Sequence, residues 1–488
     1  MSRVLDAVAS FAQSRPGEIA VSGEGVALSW AMLAREIEAA KTKLAAVLAD
    51  RPDEAPVAIA LDNGPAWVIT DLALSALERP CTPLPPFFTR DQVAHAAQDC
   101  GATLLLRPAM AGEAPMLTAG GSALVAERLA NSSRALHPGT AKITYTSGSS
   151  GRPKGVCLSQ AQMESVAHAV VEALGRDLAG THMAVLPLGV LLENVAGLYA
   201  SLLAGGRYHA PGLAALGYAG GLRPDPARLA SAIEHNRITS LILTPELLRG
   251  LTTWLAAHDE RLPSLSFVAV GGGRIATSQI EAARAVGLPV YEGYGLSECA
   301  SVVTLNRPGR DKPGAAGRPL PHLKVSLAAD GEIIVGPSPF LGYVGGPVHE
   351  GPVATGDLGE LDADGFLAIR GRKSNLIVTA FGRNIAPEWV ESELQDQPQI
   401  AQAIVFGDGA AELCAVVTAL PEISDTDLAR AVSRANARLP LYAQVGRWRR
   451  APLFDIGRGE VTANGRLRRA VLQAAHSDFI DRQSEETP

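Results

Sequence analysis

Aromatic side chains are scarce in this chain, at 5% of 488 residues, while glycine (49) and proline (33) are plentiful. That balance suits a loop-rich α/β enzyme better than a β-sandwich. Cysteine is also sparse. Cys81, Cys100, Cys157, Cys299 and Cys414 are scattered, with no CxxC pair and no nearby histidine to complete a metal set. This excludes a disulfide framework and a structural zinc site, and reads as reduced thiols. There is no excess of basic residues: 43 Lys and Arg against 50 Asp and Glu give a formal net charge of −7, which argues against a nucleic-acid surface. Unbroken apolar runs are missing too. The most apolar stretch, AVLPLGVLLENVAGLYASLLAGG, is interrupted by Pro187, Glu193 and Asn194, so no membrane span is expected. The first residues, MSRVLDAVASFAQSRPGE, carry Asp6 where a signal peptide needs continuous apolar side chains. The expected location is cytoplasmic.

What is present is the composition of a compact globular protein, 47% hydrophobic and 19% charged. The chain is too long for one ordinary core, so two or more domains are expected. Helical periodicity followed by a short apolar run recurs: LSWAMLAREIEAAKTKLAAVL then APVAIAL, WVITDLALSALE then CTPLPP, RLASAIEHNR then ITSLILTP, SQIEAARAVG then LPVYEGYG. This alternation predicts mostly parallel sheets with helices on their faces, and a site at the carboxyl ends of the strands. After about residue 317 the texture changes. KVSLAADGEIIVG and GELDADGFLAIRGR each place a D-G turn between extended runs and predict hairpins. The expected fold is α/β: a large N-terminal domain (1–371) of mostly parallel sheets flanked by helices. A small mobile α+β domain (372–488) follows, with its boundary near Gly371 to Ser374. The polar end, HSDFIDRQSEETP, is expected to fray.

Chemistry concentrates in ITYTSGSSGRPKGVCLS, residues 143–159. It begins like a strand and ends like the approach to a helix. Consecutive backbone N–H groups in a Gly/Ser loop form an anion-binding concavity, hydroxyls add donors, and Lys154 adds a mobile positive charge. The Walker A pattern fails here. Pro153 precedes Lys154 and Gly155 follows it, so no hydroxyl stands beside the lysine to hold Mg²⁺.

TSGSSGRPKG resembles the phosphate loop of the adenylate-forming superfamily of acyl-CoA synthetases, nonribosomal adenylation domains and luciferases. Further motifs follow in that family's order. YEGYGLSE (291–298) looks like its adenine and Mg²⁺ motif, with Ser297 where Thr is usual. ATGDLGELDADGFLAIRGR (354–372) is similar to the segment that opens with a ribose-binding Asp and closes with an Arg before the hinge. AFGRNIAPEWVE (380–391) resembles the loop of the thioester step, and TANGRLRR (462–469) the C-terminal catalytic motif.

The resemblance implies a division of labour. Joining a carboxylate to the α-phosphate of ATP brings two anions together, so positive potential must be aimed at the developing pentavalent phosphate. Thr146, Ser147, Gly148, Ser149, Ser150, Gly151 and Lys154 would hold the β- and γ-phosphates. Glu298 would bind Mg²⁺, a hard cation on an oxygen ligand, and Ser297 would donate to an α-phosphate oxygen. Asp357 would accept from the ribose hydroxyls and Arg372 would brace the ribose. Gly271, Gly272, Glu292, Gly293, Tyr294 and Ile369 complete the expected nucleotide contacts.

Two positions depart from the family pattern. The C-terminal motif normally carries lysine after N-G. Here Arg466 stands there and is expected to take the lysine's role, although the exchange is not conservative. At the hinge, Ser374 replaces the usual Asp or Lys, and Gly382 and Arg383 belong to the thioester loop.

The stretch LPLGVLLENVAGLYA (186–200) has no Asp to pair with an amino acid's ammonium; Glu193 is its one acid. A pocket walled by Val190, Leu191, Val195 and Leu198, with Gly271 and Gly295, would accept an uncharged acyl chain, each buried methylene contributing ~0.8 kcal/mol. The implied reaction makes acyl-AMP and pyrophosphate from ATP and a carboxylic acid, expected to be of the aliphatic, fatty type, and then a coenzyme A thioester. Its alternatives are loading of a carrier protein's phosphopantetheine arm and a non-catalytic nucleotide-binding homologue.

Overall fold

The computed structural model describes residues 2–130, 134–146, 153–175, 180–218, 224–337, 340–455, 457–461 and 467–480. Among these residues two large sheets dominate. In the first, the central strands Thr181–Met183, Ser240–Leu243, Phe267–Val270 and Val290–Leu296 run parallel, and Arg207–His209 and Ile19–Gly23 continue the parallel order on one side. The second has Lys142–Thr146, Cys81–Pro83, Val57–Ile59 and Leu104–Pro108 in parallel at its centre. Both sheets close at their edges with antiparallel strands. The parallel centres follow from the helix–strand alternation, because a buried parallel strand needs a covering helix on each crossover. The helix Pro65–Ala76 is the extreme case. It is apolar almost all round and buried along most of its length, so it sits inside the core rather than on it.

Both D-G segments form hairpins. Lys324–Leu327 pairs antiparallel with Glu332–Gly336, and Val353–Leu361 with Leu367–Arg372, joined in a separate four-stranded sheet. Beyond a short 3-10 turn, Lys373–Asn375, come a small three-stranded sheet (Gln402–Phe406, Leu413–Thr418, Val445–Ala451) and the helices Pro387–Gln395 and Asp425–Asn436, with their own core around Val390, Leu394, Val405 and Val417. All five cysteines are buried without disulfides. No described helix is long and apolar enough to cross a membrane.

Two local features go beyond the sequence reading. The Gly/Ser loop is followed first by a strand and then by the helix. Lys154–Leu158 is a strand paired back on Lys142–Thr146 with Thr146 opposite Lys154, and the helix Gln160–Leu174 starts only after Ser159 caps it. Gly155–Leu158 is apolar and buried with strands on both sides, which decides strand over helix. The second concerns LLENVAGLYA. Glu193–Tyr199 forms a π-helix that runs on into the α-helix Ala200–Ala204. Two buried polar clusters bracket it. Lys142 Nζ lies 2.7 Å from Asp71 Oδ1 and 3.1 Å from Tyr199 Oη, and also bonds Asn194, fastening the helix to one large sheet. Glu193 ties it to the other through His182 and Tyr208.

Candidate active site

A cleft of about 2660 Å³ opens where the large sheets, the four-stranded sheet and the small C-terminal unit meet. It exceeds a single ligand pocket of roughly 300–1,000 Å³ severalfold, so it has room for more than one substrate. Its rim carries the carboxyl ends of the parallel strands. Phe267–Val270 delivers Gly271, Gly272 and Gly273, while Val290–Leu296 delivers Glu292, Gly293, Tyr294 and Gly295 and turns into Ser297 and Glu298. Gly295 tolerates no side chain: a Cβ there would lie 1.6 Å from the Ser301 carbonyl oxygen. The strand therefore closes tightly on Ser301–Leu305 and presents Ser297 and Glu298 in a short 3-10 turn.

On the opposite wall Asp357 and Arg372 face each other across an antiparallel pair, in direct register. Arg372 Nε stands 3.5 Å from Asp357 Oδ1, and Tyr294 Oη donates to Asp357 Oδ2 at 2.8 Å. Burial and the neighbouring Asp357 hold the Tyr294 phenol above its ordinary range, so it stays a donor. Ile369 lines the same wall. A second cluster gathers around Tyr343, a residue the sequence did not single out. Its hydroxyl donates to Glu298 Oε1 at 2.8 Å, and Lys154 Nζ sits 5.5 Å from the centre of its ring. The only sequence signal for Tyr343 is an aromatic residue between glycines, far along the chain from Lys154. Its strand, Gly342–Tyr343, pairs with Lys154–Leu158, which explains the meeting. Glu298, a hard oxygen donor on the cleft wall beside Lys154 and Tyr343, fits a Mg²⁺ ion whose other ligands come from phosphate and water.

Glu292 lies half-buried on the cleft wall, and its Oε2 is buried with no hydrogen-bond partner among the described residues. Burial pushes its carboxyl up to about 7, against the opposing pull of Arg274. Arg274 is itself held below its usual range by burial, and its guanidinium donates to the Arg370 carbonyl at 3.1 Å. Asn63 was also missed. It clamps the Leu186–Leu188 turn at the cleft by donating to the Leu186 carbonyl at 3.0 Å and accepting from the Leu188 N–H at 2.7 Å.

The expected acyl-pocket residues divide. Val190 and Leu191 line the cleft, as do Gly271 and Gly295. Val195 and Leu198 do not: both are fully buried in the main hydrophobic core. The residues that face the cleft are Leu192, Ala196, Ala200 and Ala204, spaced by four along one helical face. Glu193 is likewise unavailable to a substrate ammonium, because it is fully buried between His182 and Tyr208.

From the small unit, Ser374, Glu388, Leu467, Arg468 and Arg469 reach the cleft. Arg469 is engaged structurally: it pairs with buried Glu391 and donates to the Val405 carbonyl. Gly382 and Arg383 lie outside the cleft lining, with the Arg383 guanidinium 5.6 Å from the Tyr442 ring centre. Thr146 and Lys154 flank the loop at the cleft, whereas Ser147, Gly148, Ser149, Ser150, Gly151 and Arg466 lie outside the described residues.

Comparison with known proteins agrees with this architecture. A long-chain-fatty-acid–CoA ligase of Mycobacterium bovis is 34% identical over 230 residues, which take in 41% of this chain and 38% of that protein. A 2-succinylbenzoate–CoA ligase of Bacillus velezensis is 32% identical over 286 residues, or 55% of this chain and 56% of that one. The chain thus spans about two-fifths to just over half the length of these curated relatives. The crystal structure of an anthranilate CoA ligase in complex with anthranoyl-AMP superposes with a TM-score of 0.82, covering 98% of this chain and 97% of that one at 16% identity, a likeness of fold. The family model of AMP-binding enzymes matches residues 8–343, and that of the AMP-binding enzyme C-terminal domain matches 374–486. The chain belongs to the AMP-binding enzyme family.

Proposed function

We propose that this protein activates a carboxylic acid with ATP and transfers the acyl group to the thiol of coenzyme A. In the first step a carboxylate oxygen attacks the α-phosphorus, the bond to the β-phosphate bridging oxygen breaks, and pyrophosphate leaves. In the second, the thiolate attacks the acyl carbon and AMP departs with the bonding electron pair. The observation that carries this reading is the meeting, in one cleft, of a carboxylate–arginine pair with a glycine-rich strand end, a carboxylate–lysine cluster and an apolar floor.

Asp357, oriented by Tyr294 and Arg372, accepts from the ribose hydroxyls. Lys154 and the hydroxyls of residues 146–150 receive the β- and γ-phosphates, and Ser297 donates to an α-phosphate oxygen. Bound Mg²⁺, held by Glu298, supplies charge screening between the phosphates. Arg466 brings positive charge to the carboxylate and α-phosphate. Arg469 is tied to Glu391, so it is a poor substitute for Arg466 in that task. We take 1–371 and 372–488 as the two moving parts, with the hinge at Ser374; Gly382 and Arg383 serve the thioester step after the small part rotates. The acid is aliphatic, as the Leu192, Ala196 and Ala200 wall supports.

Pyrophosphate exchange with ATP, Mg²⁺ and a panel of acids, with and without coenzyme A, tests the reading. The expected result is exchange with at least one aliphatic acid and a thioester on adding coenzyme A. Pyrophosphate release without thioester transfers the acceptor role to a carrier-protein phosphopantetheine, and no exchange with any acid refutes the proposal. Arg466→Ala is expected to slow exchange about a hundredfold, the cost of removing about 3 kcal/mol of transition-state stabilisation; an unchanged rate reassigns the role.

A further inference from the structure

The deep end of the acyl side of the cleft is not uniformly apolar. His182, Ser240 and Phe267 lie in register on three adjacent parallel strands, and all three line the cavity. Phe267 precedes Gly271 by four residues on the same chain, so at about 3.3 Å per residue this row sits roughly 13 Å below the nucleotide rim. Around it the walls are hydrocarbon: Val170, Leu174, Leu192, Ala196, Ala200 and Ala269. Polar side chains placed in such a pocket fix orientation and select ligands.

Their hydrogen bonds are ordered by one buried carboxylate. Glu193 Oε1 accepts from Tyr208 Oη at 2.9 Å and lies 3.1 Å from His182 Nε2, while His182 Nδ1 lies 2.9 Å from Ser240 Oγ. A carboxylate oxygen accepts only, so a neutral His182 facing Glu193 carries its proton on Nε2 and accepts from the Ser240 hydroxyl through Nδ1. In that arrangement Ser240, a lining residue of the cavity, keeps its Oγ lone pairs as acceptors. The helix wall is built to admit the relay. A Cβ at Gly197 would come 2.3 Å from Glu193 Oε1 and 3.0 Å from His182 Nε2, and the segment is a π-helix, a form frequent at functional sites.

Resting on the acyl-activation reading, we propose that Ser240, oriented by His182 and Glu193, is a specificity-determining residue that accepts a hydrogen bond from a hydroxyl carried along the acyl chain, so the preferred substrates are hydroxylated aliphatic acids. An apolar chain occupying the pocket leaves the Ser240 lone pairs without a donor, and a site built to bond a hydroxyl discriminates against the ligand that lacks one.

The full-length protein is titrated calorimetrically, in the presence of a non-hydrolysable ATP analogue, with straight-chain acids of medium length, each compared with counterparts bearing one hydroxyl at successive carbons. For at least one hydroxyl position the dissociation constant is expected to fall roughly three- to tenfold below that of the plain acid, the contribution of one neutral hydrogen bond. Ser240→Ala brings the two constants together, and Ser240→Thr, which keeps the hydroxyl, restores the gap. Plain acids that bind as well as every hydroxylated counterpart overturn the proposal, as does a preference that survives in Ser240→Ala. Pyrophosphate exchange on the same acids separates the two levels. Exchange without hydroxyl preference refutes only the specificity, and preferential binding without exchange refutes only the reaction.

Discussion

Glu292 shows how one residue couples the site to stability. The folded chain holds its carboxyl at about 7, against 4.5 in the open chain, because burial penalises the charge. Between those values the folded state binds more protons than the unfolded state, so stability falls as pH rises from about 4.5 to about 7 and is level above that. The span amounts to on the order of 3 kcal/mol. Glu292→Gln removes the titration, so its melting temperature should exceed that of the parent at pH 8, with the gap closing by pH 5. Equal melting curves at pH 8 would show that the carboxylate is compensated in the fold. The TGD, EGYG and LSE motifs made Asp357, Tyr294 and Glu298 legible as candidates, since they lie in contiguous stretches of recognisable chemistry. Tyr343 and Asn63 were not legible, because Tyr343 meets Glu298 from 45 positions away and Lys154 from 189, and Asn63 bonds the Leu186–Leu188 turn from more than 120.

At the scale of an element, the helix from Glu193 to Ala204 separates what a pattern of apolar residues can say from what it cannot. The sequence shows an apolar helix beside the phosphate-binding loop's domain, but not which stripe faces inward. Anchored by Asn194 and Tyr199 on one side and Glu193 on the other, the helix turns Val195 and Leu198 into the core and Ala196 and Ala200 toward the cleft. Leu198→Ala is therefore expected to lower stability by about 2–5 kcal/mol while the ranking of acids by chain length stays as it was. Ala196→Leu, at a half-buried position on the cleft wall, should leave the melting temperature nearly unchanged and shorten the longest acid activated. Chain-length profiles of the two variants in pyrophosphate exchange check the assignment, and the reverse outcome would place the acyl wall on the other face.

For the whole molecule, the proposed two-step reaction makes the orientation of the small C-terminal unit the governing variable. Arg249 donates to the Gln395 and Ala401 carbonyls at 3.0 and 2.7 Å, and Ser278 bonds Asp396, so the unit rests on the larger part through specific polar contacts. In this arrangement Leu467 and Arg468 face the cleft and Arg383 is turned away from it. On the proposed reading a rotation about Ser374 brings Arg383 toward the cleft for the thioester step. Ser374→Pro restricts the backbone there, so thioester formation is expected to suffer more than pyrophosphate exchange, measured side by side. Equal loss in both would argue against the hinge.

Composition and periodicity alone determined the α/β class and the antiparallel hairpins, while the resemblance of successive motifs to those of a known family supplied the candidate phosphate, adenine and ribose segments. Those features depend on residues close together in the chain: alternating helix and strand periods, D-G turns, glycine-rich loops. Which face of a helix lines the cleft, which arginine is already paired, and how a histidine, a serine and a buried glutamate come within hydrogen-bonding distance were decided only by packing. Such contacts join strands distant in sequence, and their geometry is set by the sheets that bring them together.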